Sequence, residues 1–118
     1  MPVNITQVVS STIGEHSNTS ITNSSNVTPG VETSILSHVF TDDFVLTDIF
    51  AVGDADGVYK VYVNGTQIAE GRTSSSQRMF TYSFSKGYEL SSGDTIIITV
   101  TQYESKVENF RAFIFGVV

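Results

Sequence analysis

The chain alternates apolar and polar residues over short runs, and the clearest of these spans Val58 to Glu70, Val-Tyr-Lys-Val-Tyr-Val-Asn-Gly-Thr-Gln-Ile-Ala-Glu. Alternation of period two marks a half-buried strand. Asn64-Gly65 is the dipeptide preferred where both central residues of a two-residue turn need positive φ. The spacing therefore predicts a β-hairpin with a type I′ turn, in which Val63 faces Thr66, Val61 faces Ile68 and Tyr59 faces Glu70. Tyr59, Val61, Val63 and Ile68 then share a core face, and Lys60, Tyr62, Gln67 and Ala69 share the other.

The same pattern continues on either side. Val31 to Phe40 becomes apolar on both faces towards its end, as a strand does when it runs into a core. Thr41-Asp42-Asp43 makes a turn, and Phe44 to Val52 reads as a strand with Phe44, Leu46, Phe50 and Val52 on one face, interrupted by Asp48. Met79 to Phe84 places Phe80, Tyr82 and Phe84 inward, with turn signals following at Lys86-Gly87 and at Ser91-Ser92-Gly93-Asp94. Thr95 to Tyr103 sets Ile96, Ile98 and Val100 against the core and Ile97 among threonines. The last run, Phe110 to Val118, carries Phe110, Ala112, Ile114 and Val118 on one face and Arg111, Phe113, Phe115 and Val117 on the other. With both faces apolar, this strand is either central between two layers or part of a subunit interface through Phe113, Phe115 and Val117. Tyr62, opposite the core face of the hairpin, suits a ligand or a neighbouring subunit equally. No segment keeps a helical period, so the fold class is all-β, an antiparallel β-sandwich.

Residues 1 to 30 differ from this pattern. They are rich in Ser, Thr and Asn, with isolated apolar residues at Val3, Ile5, Val8, Val9, Ile13, Ile21 and Val27. They read as an extended polar N-terminal arm or as a pair of edge strands, with Ser17 to Ser25 expected to be mobile in the isolated chain. Pro29-Gly30 sets the boundary, leaving residues 31 to 118 as the sandwich.

Composition narrows the function more than the fold. A chain of 118 residues can bury a core without staples, and the absence of Cys excludes thiol catalysis and thiolate metal sites. The net charge is −6, and the basic residues Lys60, Arg72, Arg78, Lys86, Lys106 and Arg111 are scattered. Phosphate binding needs a basic surface, so nucleic acid is not an expected partner, and the acidic balance discourages anionic membranes. Met-Pro-Val-Asn-Ile-Thr-Gln lacks the charged and apolar parts of a secretory signal, and no apolar stretch is long enough to span a bilayer.

Candidate chemistry is sparse. Asp54-Ala55-Asp56-Gly57 offers two carboxylates to Ca²⁺ but no third acid at the spacing of a calcium loop, and Asp and Gly are ordinary turn formers. His16 and His38 have no Gly-x-Ser-x-Gly nucleophile motif to serve. Asp42 and Asp43 are adjacent, so their side chains point apart rather than making a glycosidase pair. Asn-x-Ser/Thr triplets at Asn4, Asn18, Asn23, Asn26 and Asn64 are what a Ser/Thr/Asn-rich chain produces by chance. No catalytic residue, metal ligand or cofactor is assigned, and a non-enzymatic role is expected.

Asp56-Gly57 before the hairpin Val58 to Gly65, and Leu90-Ser-Ser-Gly-Asp-Thr-Ile-Ile-Ile-Thr-Val-Thr ahead of a Phe-rich final strand, give residues 31 to 118 a recognisable outline. That outline resembles the compact jelly-roll modules of tailed-bacteriophage virions, which serve as capsid decoration (cement) proteins and as parts of tails. The resemblance implies a jelly-roll sandwich, a place on the capsid surface of the virion, the major capsid protein as partner, and a homotrimer. In that picture Val3, Ile5, Val8, Val9 and Ile13 of the arm contact the shell, while Tyr62, Phe113, Phe115 and Val117 form the subunit interface. The alternative is a carbohydrate-binding or receptor-binding module of a phage tail, with Tyr62 and the Asp54 to Gly57 loop beside the glycan.

Overall fold

The computed structural model describes residues 18–74, 76–104 and 106–118. They form eight strands: β1 Asn18–Val27, β2 Thr33–Val39, β3 Phe44–Gly53, β4 Gly57–Val63, β5 Thr66–Arg72, β6 Met79–Leu90, β7 Thr95–Gln102 and β8 Glu108–Val117. Two four-stranded antiparallel sheets, ordered β1-β8-β3-β6 and β2-β7-β4-β5, pack face to face as a β-sandwich. The pairs β1·β8, β2·β7, β3·β6 and β4·β5 are nested, as if one long hairpin had been folded over on itself. The pairs β3·β8 and β4·β7 complete the sheets.

Between the sheets lies the core expected of alternating strands. Tyr59, Val61 and Val63 of β4 and Ile96, Ile98 and Val100 of β7 face Leu46, Ile49 and Ala51 of β3 and Phe110, Ala112 and Ile114 of β8. Tyr59 sits at its centre, stacked on Phe80 with ring centroids 5.5 Å apart and edge-on to Phe110 at 6.1 Å. Two glycines make room for these rings. A Cβ on Gly53 would lie 2.0 Å from the Phe110 ring, and one on Gly71 would lie 2.2 Å from Phe80.

The hairpin turn forms as the dipeptide requires, with φ of 51° at Asn64 and 83° at Gly65. Its register differs from simple alternation beyond the turn. Val63 faces Thr66 and Tyr62 faces Gln67, but Val61 faces Ala69 and Tyr59 faces Gly71, because a bulge absorbs Ile68. Ala69 is consequently the buried residue, and Ile68 is half-buried. The extra residue lets β5 turn its small side chain to the core while keeping the tight turn.

A second bulge corrects the reading of β3. Phe44 and Leu46 face inward, then the register shifts at Thr47, and Ile49 and Ala51 take the inward positions. Phe50 and Val52 therefore lie on the outer face, not with Phe44 and Leu46. The physical reason is Asp48, which unbroken alternation would carry into the core as a charge without a counterion. In β6, Phe80 is buried as expected, but Tyr82 is exposed and Phe84 half-buried because β6 is an edge strand. Lys86-Gly87 does not turn the chain. Gly87, with φ of 73°, sits in the irregular stretch of a strand that continues to Leu90.

The sandwich also begins earlier than Pro29-Gly30. Residues 18 to 27 pair with β8 along their whole length, so this part of the polar segment is an edge strand rather than an arm. Ladder hydrogen bonds do not depend on side chains, and Ile21 and Val27 are enough to seat it on the core. At its end the buried Gln102 of β7 donates from Nε2 to the carbonyls of Val27 and Lys106, pinning β1 to the opposite sheet.

Candidate functional site

Cross-strand partners share a face, so the register fixes what the β1-β8-β3-β6 sheet shows to the outside. Four successive rows across β8 and β3 read Arg111 and Val52, Phe113 and Phe50, Phe115 and Asp48, then Val117 and Val45. Phe50 and Phe113 meet edge-to-face at 5.6 Å, and Phe113 and Phe115 stack at 6.4 Å. Phe115 is 40% exposed and Val45 37% exposed. A shallow depression opens beside them, bounded by Asp48, Phe50, Thr81, Ser83 and Phe115. Ser83 donates from Oγ to Oδ1 of Asp48 at 2.7 Å, holding that carboxylate on the rim. A contiguous run of exposed and half-buried aromatic and aliphatic side chains with polar neighbours is the composition of a protein-contact surface.

Of the residues expected at a subunit interface, Phe113, Phe115 and Val117 are thus brought together. Tyr62 is not among them. It lies on the outer face of the other sheet, where its hydroxyl donates to Glu32 Oε2 at 2.7 Å and Thr99 Oγ1 donates to the same oxygen at 2.7 Å. Thr99 and Tyr62 together hold the Glu32 carboxyl below its ordinary range, and Glu32 in turn pushes the Tyr62 phenol up.

The acidic loop is occupied by its own chain. Arg78 Nη1 donates to the Asp54 carbonyl at 2.6 Å, and Arg78 Nε faces Asp56 Oδ1 at 3.6 Å. The loop precedes Gly57 while Tyr62 lies near the far end of β4, about 17 Å away at strand rise. A glycan site built from both is not assembled. His38 lies edge-on to Phe40, which stacks on Phe44, and it lines one groove with Asp42 and Asp43. Among the described residues no three His, Asp or Glu gather as metal ligands. Asn64 is engaged within the fold: its amide nitrogen donates to Asp94 Oδ1, and its oxygen accepts from the Thr95 N–H. The arm residues Val3, Ile5, Val8, Val9 and Ile13, and His16, lie outside the described residues.

Three members of the outer face, Asp48, Phe50 and Val52, were not legible as such in the sequence. The available signal was the break itself: a charge interrupting an otherwise apolar alternation marks a change of phase. No family model matches the sequence, and no curated protein matches it.

Proposed function

We propose that the protein is a non-enzymatic structural component of a virion, a capsid decoration protein that binds the outer shell and stabilises contacts between capsomers. The observation that carries this reading is the strand order. Eight antiparallel strands in nested pairs, split as β1-β8-β3-β6 and β2-β7-β4-β5, support a jelly roll, an architecture used in viral capsid and lectin domains. Fold alone does not select among those uses, and the polar N-terminal segment adds the second element. Residues 1 to 17, with Val3, Ile5, Val8, Val9 and Ile13 spaced along a Ser/Thr-rich sequence, would add a strand to a shell subunit or fill its grooves, with the major capsid protein as partner.

Sedimentation of the native source lysate through a density gradient, with mass spectrometry of each fraction, tests the role. Stoichiometric recovery with intact particles is expected, and recovery only among slowly sedimenting proteins would overturn it. Removal of residues 1 to 17, which leaves β1 in place, is expected to release the protein from particles while the sandwich still unfolds cooperatively. Undiminished attachment of that variant would overturn the role of the segment.

A further inference from the structure

The outer face of the β1-β8-β3-β6 sheet is complementary to itself. Arg111 stands at one end of its aromatic rows and makes no ion pair among the described residues, and Asp48 stands two rows further on and one strand across. With rows about 6.7 Å and strands about 4.8 Å apart, Arg111 and Asp48 are about 14 Å from each other. The midpoint between them falls between Phe113 and Phe50, in the row that joins them edge-to-face.

The geometry points to this face as the contact of a twofold homodimer, in which Arg111 of each copy enters the depression bounded by Asp48, Phe50 and Phe115 of the other. A twofold axis lying in the interface and passing between Phe113 and Phe50 exchanges the positions of Arg111 and Asp48. It lays Phe113 over Phe113 and Phe50 over Phe50 of the other copy, close to the axis, and repeats the Arg111–Asp48 pair on either side. The strands of the two copies then cross at about 40°, close to the roughly 30° at which aligned sheets pack. The guanidinium would meet a carboxylate already oriented by Ser83, with the rings of Phe50 and Phe115 beside it for cation–π contact. Four strands about 33 Å long give a footprint on the order of 600 Å² per copy, approaching the roughly 800 Å² per partner of a standard interface. This pairing requires nothing of the virion reading and stands or falls separately from it.

Sedimentation equilibrium of the whole chain between about 1 and 100 µM tests it, a span wide enough to reveal weak pairing at the low end of interface size. The expected particle has twice the 12.8 kDa mass of the chain. Arg111→Asp and Asp48→Arg are each expected to weaken association at least about tenfold by placing like charges across the contact. The double variant restores it, a rescue that mere structural damage would not show. Arg111 is exposed, so Arg111→Asp reads the contact even where Asp48→Arg disturbs β3. A mass of one chain at every concentration, a mass of three chains, or a dimer indifferent to Arg111→Asp would each overturn the proposal. So would a monomer that pairs only after removal of residues 1 to 17, because the face would then be held by the chain's own segment.

Discussion

Tyr59 shows how much a single inward position can be read from pattern and how much cannot. Alternation in Val-Tyr-Lys-Val-Tyr-Val places its ring in the core, where it is fully buried between Phe80 and Phe110. Its hydroxyl, however, has no hydrogen-bond partner among the described residues, and burial pushes its pKa up. A buried hydroxyl without a partner costs free energy relative to an apolar group of the same shape. Tyr59→Phe is therefore expected to raise stability by about 1 kcal/mol, measured by urea unfolding. The neighbouring Gly71→Ala is expected to lower it by about 1–3 kcal/mol, because the added methyl displaces the Phe80 ring from its stack. Neither effect was legible in the sequence: glycine at 71 reads as punctuation until the ring that covers it is known.

At the scale of elements, local chemistry predicted turns and inward faces well where one residue type dominates the geometry. Asn64-Gly65 is the best case, and Ile96, Ile98 and Val100 the next. The turn is also tied to its neighbour: Asp94 accepts from Asn64 through one carboxylate oxygen and from the Ser91 N–H through the other. Ser91 and Asn64 hold the Asp94 carboxyl below its ordinary value near 3.8. A carboxyl lowered in the folded state contributes stability that is complete above its ordinary value and lost as pH falls through the lowered one. Asp94→Asn is thus expected to reduce stability at neutral pH and to flatten its decline below about pH 4, measured by urea midpoints across that range. Elements failed to be legible where a bulge intervened. Alternation has no means of signalling an added residue, so Ile68 exchanged roles with Ala69, and Phe50 and Val52 moved from the core to the outer face.

For the whole molecule, the all-β sandwich was legible because short alternating runs without a helical period leave few other architectures. The place of residues 18 to 27 was not, because an edge strand drawn from Ser, Thr and Asn is held by backbone pairing that composition does not reveal. The two outer faces that result are chemically different. One carries the Glu32, Tyr62 and Thr99 hydrogen bonds, and the other carries the aromatic rows that invite a second copy. That difference depends on the extra residue at Thr47, and it gives Asp48 a further consequence. β3 can be written in two reading frames: one buries Ile49 and Ala51, and the other would bury Phe50 and Val52 along with position 48. The second frame encloses more apolar volume but carries a carboxylate into the core. Asp48→Val would remove the mark that tells the chain which frame to use. The expected outcome is slower, multiphasic refolding seen by stopped-flow circular dichroism, with the chain divided between a form that displays its aromatic rows and one that swallows half of them.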